Sequence, residues 1–182
     1  LFDQSGNLLR HWGGRGQGYQ WPESEHGIFI DDNDFVWLAG NGKKDGQLLK
    51  FTMDGRFVLQ IGRSNQSKGN ADTRNFHRPA DVAVFPQTNE LFVADGYGNT
   101  RVVKFDKTGK ALLKWGSRGT GPGQFNTPHG IAVGGSPPRV FVSDRGNRRI
   151  QVFDTNGKFL EEWPGIAPHS MLMSADEHVW AV

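Results

Sequence analysis

The chain has 182 residues and no cysteine. No disulfide can staple it, and no thiol can act as nucleophile or metal ligand. That absence does not identify a compartment. No apolar run approaches membrane-spanning length, and no signal peptide is visible. The sequence starts without Met and inside a repeat, so an export signal upstream is compatible with it. Charge of one sign is also lacking: 21 Lys and Arg stand against 19 Asp and Glu, a net charge of +2. The basic residues are scattered, so the pI near 9.0 says little about partners. Neither a membrane nor a nucleic acid is an expected partner. Tyrosine is scarce, with only two residues.

Glycine is abundant, at 25 residues, and falls at recurring places. The segments around His26 to Phe57, Ala80 to Lys110 and His129 to Phe159 repeat one pattern. In the third copy the apolar runs are Gly130–Val133, Val140–Ser143, Ile150–Phe153 and Phe159–Trp163. They are short and rich in Val, Ile and Phe, and Gly, Asn, Asp and Pro bound them. That is strand chemistry. Asp54-Gly55, Thr108-Gly109 and Asn156-Gly157 separate the third and fourth runs. Asn-Gly and Asp-Gly there favour tight hairpin turns because both residues tolerate positive φ. A unit of this size cannot bury its apolar face alone and must stack on copies of itself. Four antiparallel strands repeated radially describe a blade of an all-β propeller.

The expected organisation is one propeller domain or fragment over 1–182. Full blades are expected at 26–62, 80–117 and 129–164, with partial blades at 1–12 and 169–182. The ends could complete each other in a closed four-bladed ring. Alternatively, the chain is part of a larger, six-bladed propeller. The second is preferred because four blades lie at the lower limit of the class. It would expose open sheet edges and predicts self-association through them.

The slot at His26 recurs at Ala80, His129 and His169. It opens the innermost strand, which lines the channel, so equivalent positions point toward one axis. Imidazoles converging there are suitable zinc ligands with an open fourth position. The competing reading is a His that caps the strand or bonds a loop. His169 is in register but on the next blade, so it would join His26 and His129 only in a four-bladed ring. His11, His77 and His178 lie outside the slot and read as surface residues. Tyr97 falls in the turn after a second strand, and its hydroxyl is a weak base unless a metal or cation lowers its pKa. Arg145 occupies the corresponding turn and can clamp a carboxylate by paired hydrogen bonds. Asp95 with Arg101, and Asp144 with Arg149, recur as pairs and read as architecture. Trp12, Trp115 and Trp163 recur at the ends of fourth strands and read as packing between blades.

Asp144-Arg145-Gly146-Asn147-Arg148-Arg149-Ile150 and Asp95-Gly96-Tyr97-Gly98-Asn99-Thr100-Arg101-Val102 resemble the NHL-repeat signature, as do Gly121-Pro122-Gly123-Gln124-Phe125 and Pro128-His129-Gly130-Ile131-Ala132-Val133. Ile61 to Ser64, Arg78 to Val84, Val93 to Tyr97 and Pro128-His129 are similar to the peptidyl-α-hydroxyglycine α-amidating lyases. The resemblance implies a six-bladed, zinc-dependent enzyme that cleaves a C-terminal α-hydroxyglycine to a peptide amide and glyoxylate. It implies a small-molecule or peptide substrate and a secreted or periplasmic protein. It places His26 and His129 on zinc, Tyr97 as base, Arg145 on the substrate, and the Ile28 carbonyl on a structural calcium. The family's third zinc His would lie beyond Val182 and its other arginine before Leu1. Its cysteine beside the tyrosine is Gly98 here. The alternative is a non-catalytic propeller that binds a protein or other ligand on its loop face. Some NHL propellers bind RNA, which ranks lower here because the basic residues do not cluster.

Overall fold

Each copy of the pattern folds into one four-stranded antiparallel sheet. The computed structural model describes residues 1–182. The first sheet contains β1 (Glu25–Ile30), β2 (Phe35–Gly40), β3 (Gln47–Thr52) and β4 (Phe57–Gly62), in that order. The second contains β5 (Asp81–Phe85), β6 (Glu90–Asp95), β7 (Arg101–Phe105) and β8 (Ala111–Trp115). A short parallel pair follows, β9 (Ser117–Arg118) with β10 (Gln124–Phe125). The third sheet contains β11 (Pro128–Gly134), β12 (Arg139–Asp144), β13 (Arg149–Asp154) and β14 (Phe159–Pro164). Then β15 (Met171–Met173) and β16 (Val179–Ala181) form half of another blade.

The period of two along each strand explains how blades stack. Successive side chains point to opposite faces of a sheet. On β6, Leu91 and Val93 enter the core shared with the first blade, while Phe92 and Ala94 enter the core shared with the third. On β12, Val140 and Val142 face backward and Phe141 forward. Central strands bury both faces and therefore read as unbroken apolar runs. Outer strand β8 alternates instead, because one face meets water, and β14 is exposed along Leu160 to Glu162.

The recurring tryptophans pack between blades as expected: Trp115 contacts Phe92 of its own blade and Phe153 of the next, Trp12 contacts Phe51, and Trp163 packs on the core that joins Phe141 to Met171. Tight hairpins join the third and fourth strands of each sheet as expected. Only the glycine of each pair has positive φ: Gly55 at 85°, Gly109 at 85° and Gly157 at 78°. Each glycine amide bonds back three residues, to Thr52, Asp106 and Asp154. A register shift follows, between Lys50 and Phe51 in the first copy and at the same place in the others. This is a turn closed by a glycine bulge, which needs one left-handed residue rather than two.

The closed four-bladed ring is not formed. The N-terminal hairpin, bridged at Phe2 and Leu8, joins no strand of the last sheet. Trp12 instead packs on the first blade and donates Nε1–H to the Met53 carbonyl at 3.1 Å. Strands β1, β5, β11 and β15 lie side by side around the axis.

Candidate functional site

Two buried ion pairs fix the turns that carry the candidate residues. Asp95 ends β6 and is fully buried. Its carboxylate accepts from Arg101 Nε at 2.8 Å, Asn99 Nδ2 at 2.7 Å and the His77 amide at 2.9 Å. Burial pushes this carboxyl up, and Arg101 opposes that. The rest of the Arg101 fork donates to the carbonyls of Asn70, Asp72 and Asn75. Asp144 and Arg149 repeat the device one blade on, at 2.8 Å. Arg149 also donates to the carbonyls of Gly121 and Gln124. The Asp–Arg pairs are thus architecture: each ties a long connection to the end of a second strand.

The residue two places beyond Asp95 is Tyr97. Its amide meets the Arg78 carbonyl at 3.3 Å, and Gly98 N donates to His77 O at 2.9 Å. A Cβ on Gly98 would overlap the His77 ring, and one on Gly96 would overlap the Pro128 backbone. The site therefore has room for glycine alone on both sides of the tyrosine. His77, read from sequence as a surface residue, is half-buried against this turn.

The structure brings His26, Tyr97 and His129 together from three blades. Tyr97 Oη stands 3.1 Å from His26 Nε2 and 2.8 Å from His129 Nε2. The two imidazole centroids are 4.9 Å apart. His26 Nδ1 lies 2.8 Å from the Ala80 carbonyl, and His129 Nδ1 lies 2.6 Å from the His169 carbonyl. Each histidine is thus oriented by the backbone of the following slot. The intermediate slots, Ala80 and His169, serve their neighbours through main chain.

A carbonyl only accepts, so both Nδ1 atoms carry protons and donate. His129 is 3% exposed, and burial lowers its pKa to about 4, so its ring is neutral near pH 7. Its Nε2 is then a lone pair, which the Tyr97 hydroxyl proton can meet. That hydroxyl has one proton only. It can therefore serve one Nε2 at a time, and the other Nε2 faces an oxygen lone pair. This donor set fits a metal: two imidazoles, each with Nδ1–H held by a carbonyl, present Nε2 toward one point. His, Cys, Asp and Glu side chains do not form a cluster of three there.

Arg145 lies in the turn after β12. Its guanidinium carbon is 5.6 Å from the Tyr97 ring centroid, and Nη1 is 3.3 Å from His169 Nδ1. The His169 side chain is exposed, with its ring centroid 5.5 Å from that of His129. Ile28 lies on β1. With His26, Asp81, His129 and His169 it lines a cavity of about 170 Å³ at the axis. Larger spaces, about 800 Å³ between β4 and β8 and about 430 Å³ at the other end of the inner strands, hold no histidine or tyrosine.

Sequence reasoning missed Arg78 and Asp81. Arg78 approaches the Tyr97 ring to 5.5 Å from its guanidinium carbon. Its only signal was its place directly before the Pro79-Ala80 slot. Asp81 accepts from the amides of Val82 at 2.9 Å and Ile131 at 3.2 Å. Burial pushes its carboxyl up to about 7. The folded state then keeps this proton up to about pH 7, whereas the unfolded chain releases it above the ordinary value of 3.8. Stability contributed here falls as pH rises from about 4 to 7. His129 acts in the opposite direction over part of that range, so the comparison must be with a variant. In chelator, urea midpoints of the parent are expected to drop relative to Asp81→Asn between pH 4 and 7. Parallel curves would show that Asp81 ionises normally.

Comparison with known proteins agrees with this architecture. A family model described as a 6-bladed beta-propeller matches residues 81–164. Mouse peptidyl-glycine alpha-amidating monooxygenase is 37% identical over 137 residues, covering 73% of this chain and 14% of that protein. Mouse NHL repeat-containing protein 3 is 34% identical over 174 residues, covering 90% of this chain and 47% of that protein. Peptidyl-alpha-hydroxyglycine alpha-amidating lyase 1 of Drosophila melanogaster is 31% identical over 161 residues, covering 80% and 29%. The chain thus spans half or less of these relatives. Among solved structures, a gluconolactonase of Xanthomonas campestris superposes with a TM-score of 0.68 at 15% identity, covering 97% of this chain and 58% of that one. A catalytically inactive virginiamycin B lyase of Staphylococcus aureus with quinupristin gives 0.64 at 16%, covering 100% and 54%. At such identities the structures speak for the fold alone.

Proposed function

Given that this chain is an NHL-type β-propeller resembling the peptide-amidating lyases, we propose that it carries part of a zinc-dependent lyase site. The substrate would be a C-terminal α-hydroxyglycine or similar carbinolamide. The observation that carries this reading is the meeting of two oriented Nε2 atoms at the Tyr97 hydroxyl.

His26 and His129 would hold the zinc, with further coordination from another blade, water or substrate. Bound zinc supplies Lewis-acid polarisation of the substrate hydroxyl. Tyr97 Oη accepts the proton from that hydroxyl. As the C–N bond breaks, the electron pair leaves with nitrogen, which gains a proton and departs as the peptide amide. The hydroxyl carbon becomes the aldehyde carbon of glyoxylate. Arg145 holds the glyoxylate carboxylate, whose planar oxygens match a guanidinium fork. The Ile28 carbonyl remains the proposed contact of a structural calcium.

The direct test is metal content after dialysis, with glyoxylate release from an N-acyl-α-hydroxyglycine. The full-length protein is expected to hold about one zinc per site and to lose it in His129→Ala. A metal-free protein whose His26→Ala and His129→Ala variants match the parent would point to a binding module.

A further inference from the structure

The copies share a backbone at the mouth of the channel and differ in what they hang on it. Arg78 and Thr127 each precede a proline that leads into an inner strand. Both have left-handed backbone, with φ of 59° and 62°. A residue before proline is normally extended, so each is a strained position. Each presents its carbonyl to the amide of the residue in the facing turn: Arg78 to Tyr97, and Thr127 to Arg145 at 3.2 Å. The equivalence is complete in the backbone, yet only the second blade places a long cation there.

Arg78 is half-buried and held at one point. Its Nε donates to the carbonyl of Asn41, in the corresponding turn of the first blade, at 2.8 Å. A guanidinium has five N–H donors in a fixed fork. Both terminal nitrogens of Arg78 make no hydrogen bond within the protein, and no carboxylate lies within ion-pair distance. Nearby acids are engaged elsewhere: Asp95 with Arg101, and Asp45 with the amides of Glu23, Ser24 and Gly42. Arg78 and Arg145 both approach the Tyr97 ring, at 5.5 and 5.6 Å, and neither has an acidic partner. Two guanidiniums thus flank one tyrosine ring, and a single glyoxylyl carboxylate occupies one of them.

We propose that Arg78 is a specificity-determining residue that binds a second carboxylate on the substrate, an acidic side chain on the residue preceding the α-hydroxyglycine. This rests on the lyase reading for the placement of the first carboxylate on Arg145. Arg78 then selects among peptides without taking part in bond cleavage. The anchored Nε leaves the outer edge of the fork free for a carboxylate, and a charge-assisted pair there changes affinity by about tenfold or more.

The test uses the full-length protein and two N-acetyl dipeptides, one Glu-α-hydroxyglycine and the other Gln-α-hydroxyglycine. The parent is expected to favour the Glu peptide about tenfold in kcat/KM, mainly through KM. Arg78→Gln should collapse that ratio to near one, and Arg78→Lys should restore part of it. A merely structural role for Arg78 would lower activity on both peptides and leave the ratio intact. A parent without preference, or an unchanged ratio in Arg78→Gln, overturns the proposal. If neither peptide is cleaved, the lyase reading fails, and equilibrium binding of acetyl-Glu-Gly and acetyl-Gln-Gly decides. A Glu preference abolished by Arg78→Gln supports the anion site, and equal binding of the two overturns it.

Discussion

Arg101→Met is expected to lower the unfolding free energy by about 3–5 kcal/mol, the usual consequence of removing one partner from a buried ion pair. Asp95 is fully buried and would keep a charge with no cation beside it. Three carbonyls, of Asn70, Asp72 and Asn75, would lose their shared donor at the same time. The connection from Ser64 to Phe76 would then lose its attachment to β7. Urea denaturation reads the effect directly. The double variant Asp95→Asn with Arg101→Met should recover part of the loss, because the stranded charge is gone. Arg139→Ala, which breaks an exposed pair with Glu161, should cost only about 0–1 kcal/mol. A loss for Arg101→Met no larger than that of Arg139→Ala would show that the buried pair is dispensable.

Tyr97→Phe has the largest expected effect on activity. It deletes the one oxygen placed within hydrogen-bond reach of both imidazole Nε2 atoms. The ring would stay, since it packs edge-on against His26 and His129. Loss of a positioned proton acceptor lowers kcat by about 10²–10⁴. Zinc content should match the parent, because the two Nδ1 anchors do not involve Tyr97. Glyoxylate release within tenfold of the parent would remove Tyr97 from the role of base. Loss of zinc together with activity would make it part of the metal site instead.

The blade pattern was legible because a sheet's period of two is local. Leu91 to Ala94 and Val140 to Val142 are buried on both faces, so their unbroken apolar runs announce central strands. The Asp–Arg pairs were legible because they recur at fixed spacing and each joins the end of one strand to the start of the next. The hairpins were read only in part. Glycine marks the bulge, but Asp54, Thr108 and Asn156 do not need left-handed backbone, and composition alone does not separate the two turns. Arg78 was hidden because its neighbours in space, Asn41 and Tyr97, come from two different blades.

By itself the sequence determined the blade, its four strands and its repetition, since those follow from residues near one another in the chain. It also marked His26 and His129, because radial repetition sends equivalent positions toward one axis. Only the tertiary structure decided what those rings meet. The Ala80 and His169 carbonyls fix which nitrogen carries the proton, and one tyrosine hydroxyl stands between the other two nitrogens. Proton positions and orientation depend on contacts across 54, 40 and 71 residues of chain, which no local pattern encodes.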